Sequence, residues 1–336
     1  MKKVILQPSG KEIEVEDGQT ILSALEQGGY ALPNNCRAGA CGECKVKVCG
    51  GEIEQGFILD MALPQSEREQ GFGLMCMAKA KTDVVEIEWG TADALPKLFP
   101  PKENMPYIVM EKMEVTPTIA KLRLRSLGEP LRFWPGQYVT MGDKDRGVPE
   151  RCYSIANIPN NEGELVLYIT KVPDGQTSTW VHESLNAGDR VKVNGAYGTF
   201  IGDPSAETPV LCLAAGSGLA PIASLASGAL MRGGFRYPAT ILFSAKDESH
   251  VFDRGLFSYL ETKFRNFRFN VTYTKQKVEG KSFGRIPEIL PEKYPDLSNT
   301  SIYIAGSTEF VDACTAKVKE LGAKDELIYT EGFISQ

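Results

Sequence analysis

The sequence predicts a multidomain chain of three folds in series: a small α+β domain, an antiparallel β-barrel and an α/β domain with a parallel sheet. Three observations carry this. At 336 residues the chain exceeds one ordinary core and suits two or three domains. A proline-rich run over residues 92–106 breaks the periodic pattern and has the composition of a semi-rigid linker. Beyond it, short strand-like segments between turn signals give way near Pro209 to apolar strands alternating with helical stretches. The expected boundaries are 1–91, a linker over 92–106, 107–204 and 205–336.

The elements follow in order. Lys3–Leu6 and Glu12–Glu16 read as a hairpin around a turn at Pro8–Gly10. Thr20–Gln27 reads as a short helix with Ile21, Leu22 and Leu25 on one face and Gly28-Gly29 as its stop. Strands follow near Lys45–Val48 and Val84–Trp89. The barrel is expected from Ala120–Leu124, Gln137–Met141, Leu165–Thr170 and Arg190–Val193, with a closing turn over Gly195–Phe200. Val210–Ala215, Thr240–Ser244, Phe269–Tyr273 and Ser301–Ala305 are the predicted parallel strands.

Charge and composition exclude several functions. Through Gly90 there are nine Lys/Arg and fourteen Asp/Glu, so most of the net charge of −6 belongs to the first domain. That argues against nucleic acid and suits either docking to a basic protein or a solubilising surface. The uncharged stretch Val210–Met231 is interrupted by Gly216, Gly218 and Pro221, so a strand–loop–helix is expected and no membrane insertion. The apolar run after the N-terminus is too short for a signal peptide. Eight cysteines without a secretory signal read as metal ligands and buried thiols, not a disulfide framework.

Four of those cysteines are the most informative residues. Cys36, Cys41 and Cys44, with Cys76 farther on, have the C-x4-C-x2-C…C spacing of a plant-type [2Fe–2S] cluster. Gly39 and Gly42 suit a loop that wraps a compact group with left-handed backbone and free N–H groups. A zinc site fits the four-residue gap less well, and unrelated buried thiols are the other alternative. A cluster favours a reducing compartment, so a cytoplasmic location is expected.

Two further constellations point to redox cofactors. In Arg151-Cys-Tyr153-Ser154, strand alternation sends Arg151 and Tyr153 to one face, where a ring can stack on a flavin and a cation can meet its phosphates. Tyr168, Ile169, Thr170 and Lys171, then Gly175, Gln176, Thr177 and Ser178, extend this; the latter group offers backbone N–H groups to a pyrophosphate. An isolated strand face and helix start would look much the same. Gly216-Ser217-Gly218, with Pro221 at the predicted helix start, follows an apolar strand as a dinucleotide-binding loop does. Ala305-Gly306 at a strand end reads as a floor for a nicotinamide ring, and Glu331 and Phe333 lie where a C-terminal strand could meet the flavin. Ordinary strand turns and a hydrophobic anchor are the bland equivalents.

Together these motifs resemble the iron–sulfur flavoprotein reductases of multicomponent bacterial oxygenases, including ring-hydroxylating dioxygenases, over essentially the whole chain. The resemblance implies a plant-type ferredoxin domain of β-grasp-like form, an FAD barrel and an NAD domain similar to ferredoxin–NADP reductase. It carries flavin binding onto Arg151, Tyr153 and Ser154, phosphate binding onto Gly175 and Ser178, and the G-x-G-x-x-P loop onto Gly216, Gly218 and Pro221. Ser154, Ala305, Glu331 and Phe333 are the implied reaction-site residues. Many members have cysteine where Ala305 stands. Lys275, after Thr274, lies where NADP-using relatives grip the 2′-phosphate, though lysine is a point charge and not a fork. NADH is the expected donor, with NADPH possible.

The implied activity takes electrons from NAD(P)H through FAD and the cluster to a redox partner protein: a terminal oxygenase, a hydroxylase or a ferredoxin. With only His182 and His250 present, neither a catalytic histidine nor a two-histidine Rieske centre is expected. Rival readings are a reductase for a deoxysugar dehydratase, a flavin reductase, and a redox-sensing iron–sulfur module.

Overall fold

In the computed structural model, residues 2–91, 95–203 and 206–333 are described. The chain forms two units, Met1–Lys102 with Ala196–Thr199, and Glu103–Gly195 with Phe200–Gln336.

The first unit opens with the expected hairpin, β1 (Lys2–Gln7) and β2 (Lys11–Val15), paired antiparallel. Helix α1 (Ile21–Gln27) starts where Thr20 Oγ1 accepts from the Ser23 N–H at 3.3 Å, a side-chain N-cap. Ile21, Leu22 and Leu25 of that helix bury against Val4, Leu6, Val85 and Ile87. Then come β3 (Lys45–Gly50), β4 (Ile53–Gln55), α2 (Gln65–Glu69), β5 (Phe72–Leu74), β6 (Ala78–Ala80) and β7 (Val84–Glu88). The sheet runs β2-β1-β7-β3-β5 with β1 and β7 parallel, and β4 pairs with β6 separately. A mixed sheet holding α1 is the β-grasp arrangement.

The proline-rich segment is not a free linker. Its first residues, 92–94, lie outside the described residues. The Lys97 and Leu98 N–H groups both donate to the Gly29 carbonyl, at 2.8 and 2.9 Å, and Leu98 is buried. A Cβ on Gly29 would stand 2.9 Å from the Leu98 carbonyl, so the absence of a side chain lets the strap lie down. Strand β8 (Lys102–Thr116) begins inside the expected linker, and the strap groups with the first unit.

The second unit begins with the barrel: β8, β9 (Ile119–Ser126), β10 (Tyr138–Asp143), β11 (Val148–Ser154), β12 (Glu164–Thr170), a one-turn helix α3 (Gln176–Thr179) and β13 (Arg190–Tyr197). Its sheet order is β11-β10-β13-β8-β9-β12. The edges meet where Ile155 bridges Leu167 and the Ala156 N–H donates to the Val166 carbonyl at 2.8 Å. The turn expected over Gly195–Phe200 starts later: residues through Tyr197 stay in β13, and Gly198 bends the chain at φ 89°.

The last part carries β14 (Val210–Ala215), α4 (Leu219–Met231), β15 (Ala239–Ala245), α5 (Arg254–Lys263), β16 (Phe267–Tyr273), β17 (Ser282–Phe283), α6 (Ile286–Lys293), β18 (Ser301–Ser307), α7 (Thr308–Glu320) and β19 (Ile328–Phe333). All six strands are parallel, in the order β17-β16-β15-β14-β18-β19. Alternation covers both faces. Leu211, Leu213, Ile302 and Ile304 face α6 and α7, whereas Cys212, Ala214, Phe243 and Tyr303 face α4 and α5. The expected division at 204/205 lies outside the described residues. Among the described residues no helix is long and apolar enough to cross a membrane.

Candidate functional site

The loop Cys36–Cys44 bends on left-handed backbone at Arg37, Gly39 and Gly42, with φ of 54°, 70° and 79°. A Cβ on Gly39 would stand 2.6 Å from the Phe57 carbonyl, so the predicted glycine is required both for its conformation and for its closeness to the segment of Phe57. The bend turns three N–H groups inward, and Ala38, Ala40 and Cys41 donate to Cys36 Sγ at 3.3–3.4 Å. Cys76 arrives on the turn between β5 and β6, where Met75 N–H donates to the Cys44 carbonyl and Cys76 N–H to Cys44 Sγ.

The thiols thus meet as two pairs. The Cys41 thiol and the inward N–H groups together hold Cys36 down at about 5, against the opposing effect of burial, while Cys41 is pushed up. In the other pair Cys76 is lowered by its hydrogen bond with Cys44, and Cys44 is raised. Among the described residues no three His, Cys, Asp or Glu side chains converge as one metal ion requires. Two pairs of cysteine sulfurs fit a two-iron cluster with two sulfurs to each iron.

Sequence reasoning missed the brace of this loop. Glu26, on the same buried helix face as Leu22, accepts from Arg37 at 2.5 Å while only 3% exposed. Burial pushes its carboxyl up and Arg37 opposes that. The signal was present: a carboxylate four residues after Leu22 on an apolar helix face has to find a cation.

Strand β11 carries Arg151, Tyr153 and Ser154. Thr177 Oγ1 donates to the Pro149 carbonyl at 2.6 Å, which sets the start of α3, with Gly175 as its cap, beside the strand of Arg151. Ser178 Oγ is engaged within its own loop, accepting from Val172 N–H at 3.1 Å, and Gln176 opens the short helix. The helix start thus lies beside the strand, and the Arg151 guanidinium donates to the Glu150 carbonyl at 2.9 Å. Tyr168 and Ile169 are placed differently. Tyr168 packs edge-on to Phe252 at 4.8 Å, and the fully buried Ile169 has its carbonyl against His182 Nε2 at 3.0 Å. Lys171 pairs with Glu183 at 3.0 Å, and Thr170 Oγ1 donates to Ser217 Oγ at 3.0 Å, joining β12 to the glycine loop.

That loop lies at the carboxyl end of β14. Gly216 has φ 56°, and a Cβ on Gly218 would stand 2.2 Å from the Ala305 carbonyl, so the second glycine is pressed onto the end of β18. Helix α4 begins at Leu219, two residues before the expected Pro221, which still falls in the first turn where a missing N–H costs nothing. A Cβ on Gly306 would meet the Phe310 ring at 2.7 Å. In the β18–β19 register Ala305 faces Glu331, and Ser307 faces Phe333. Ser154 Oγ donates to Glu331 Oε2 at 3.0 Å, both side chains being buried. Burial raises the Glu331 carboxyl to about 8, opposed by Ser154, so near neutrality it holds its proton. Ser154, Gly218, Ala305 and Glu331 therefore converge from four separate segments. Lys275 stands apart, exposed just beyond β16, with its N–H donating to the Lys246 carbonyl at 2.9 Å.

Comparison with known proteins gives the same three parts. Residues 4–81 match a 2Fe-2S iron-sulfur cluster binding domain, 106–201 an oxidoreductase FAD-binding domain and 212–316 an oxidoreductase NAD-binding domain. The chain is 32% identical to the phenol hydroxylase P5 protein of Acinetobacter pittii, over 99% of this chain and 94% of that one. It is 30% identical to the reductase subunit of an aromatic O-demethylase of Amycolatopsis, over 96% of each. Among solved structures, an Amycolatopsis cytochrome P450 reductase superposes with a TM-score of 0.89 at 29% identity over 99% of both chains.

Proposed function

Because the chain belongs to the iron–sulfur flavoprotein reductase components of oxygenase systems, we propose that it draws electrons from NADH and delivers them singly to a partner oxygenase, hydroxylase or ferredoxin. FAD, when held by this chain, would supply two-electron hydride chemistry, and a [2Fe–2S] cluster held by Cys36, Cys41, Cys44 and Cys76 would supply one-electron transfer. The protein binds, orients and shields. Arg151 and the start of α3 suit the flavin phosphates, and Tyr153 suits its ring face. The loop Gly216–Gly218 suits the nicotinamide dinucleotide, whose ring would lie against Ala305. The observation that carries this reading is the buried Ser154–Glu331 contact beside Ala305, a protonated carboxyl and a hydroxyl at the meeting point of barrel and parallel sheet.

NADH is favoured over NADPH because Lys275 offers a 2′-phosphate only a point charge and not a guanidinium fork. The cytoplasm is the supported location, since a cluster and free cysteines such as Cys49 and Cys212 suit a reducing compartment. Rapid NADH-dependent reduction of cytochrome c by the purified protein tests the function. Cluster bleaching by NADH without turnover would instead make the chain a sensor.

A further inference from the structure

Next to the cluster loop lies a run of apolar side chains that face solvent. Phe57 is 74% exposed, Leu59 38% and Met61 84%. They are held outward by their neighbours: Ile58 packs on the core of the first domain, and Ala62 and Leu63 are buried in it. The run is tied to the loop itself, since Leu59 N–H donates to the Gly39 carbonyl at 3.0 Å and Gly39 has no room for a side chain against Phe57. Large apolar side chains so fully exposed and so firmly seated mark an interaction surface.

Charge says what covers it. Between residues 43 and 69 there are six carboxylates against three cations. Lys45 pairs with Glu67, Arg68 with Asp60 and Lys81 with Glu52, which leaves Glu43, Glu54 and Glu69 against Lys47. An apolar run in an acidic stretch of the chain, with Asp60 between Leu59 and Met61, is complementary to a partner with apolar side chains accompanied by lysine and arginine. Three side chains make a small patch, which matches the limited contact areas of transient electron-transfer encounters better than those of stable assemblies.

We propose that Phe57, Leu59 and Met61 form the docking face for the electron-accepting protein, which meets the cluster loop over Gly39 with an apolar surface that also bears lysine and arginine. This rests on the electron-transfer reading above. A partner seated there covers the loop backbone that carries the Cys36 and Cys41 ligands, so docking and the path for the electron coincide.

The test uses the full-length holoprotein with two acceptors: cytochrome c as a basic protein and ferricyanide as a small ion. Phe57→Ser/Met61→Ser should raise the cytochrome c KM about tenfold, the 1.4 kcal/mol expected of a modest hot spot. Ferricyanide turnover, iron content and visible spectrum should stay at wild-type values. Asp60→Lys should also raise that KM, with the difference fading at high salt. An unchanged cytochrome c KM in the double variant overturns the proposal. So does self-association of the wild type that the double variant abolishes, which would give the face to a second copy of the chain. If Cys41→Ser, lacking the cluster, reduces cytochrome c as well as wild type, the electron-transfer reading itself fails, whatever the patch variants do.

Discussion

The cluster loop and the flavin edge are both redox sites, yet they are assembled over very different lengths of chain. Cys36 receives its N–H donors from residues within five positions, so the loop largely specifies itself. Ser154 and Glu331 meet across 177 positions, and only the β18–β19 register brings Glu331 level with Ala305. A site built locally depends on backbone conformation and ligand identity. One built from distant segments depends on packing and register, and its parts fail separately.

Four substitutions test that difference. The largest effect is expected at the local site, where Cys41→Ser should abolish the cluster, taking about two iron per chain to near zero. NADH should still bleach the flavin of that variant. Iron content and spectrum unchanged in it would refute the ligand assignment. Gly218→Ala comes next. Its Cβ would press on the Ala305 carbonyl, and overpacking of about 1–3 kcal/mol predicts up to a hundredfold loss in kcat/KM for NADH with iron retained. An equal loss of iron would show the two sites to be coupled, contrary to the comparison.

Glu331→Gln keeps an oxygen to accept from Ser154 Oγ and loses only the acidic proton, so its effect should be milder, at most about tenfold in the rate of flavin reduction. Its pH signature is more telling. Folding raises this carboxyl from about 4.5 to about 8, so the folded state keeps a proton that the unfolded state releases. Stability from this group is therefore present below about 4.5 and declines as pH rises to about 8. Thermal unfolding at pH 5 and pH 8 should show a larger fall for wild type than for Glu331→Gln; equal falls would mean that Glu331 does not titrate there. The smallest effect is expected at Lys275→Ala, less than about twofold in the NADH KM, because an exposed charge contributes little. A wild-type preference for NADPH of about tenfold, lost in this variant, would overturn the choice of NADH.

How much was legible follows the same division. The cysteine spacing, the glycines of both loops and the alternation of the parallel strands are local patterns, and the structure places them as strands and bends near the expected residues. What the glycines are for was hidden, because Gly218 looks like any loop glycine until β18 is beside it. The β4–β6 pair was missed, since strands of three residues carry too few alternations to register. Gly195–Tyr197 reads as a turn from composition, yet the strand continues through it, and sheet pairing outweighs the local preference. Tyr168 and Ile169 stand among candidate binding residues in the sequence; in the structure both are buried, on alternate faces of β12, which only tertiary packing decides.

The strap at residues 95–101 has a practical meaning for anyone dividing this chain into pieces. Composition invites a cut near residue 92, and that cut would leave the strap on the wrong fragment. The N-terminal piece would lose the cover from its Gly29 socket, and the C-terminal piece would trail Leu98 torn from its seat. A ferredoxin fragment ending at Lys102 keeps the socket filled, and trypsin acting on the intact protein should spare Lys97, whose backbone is already engaged. For expression and for digestion alike, the first domain ends at the first residue of β8.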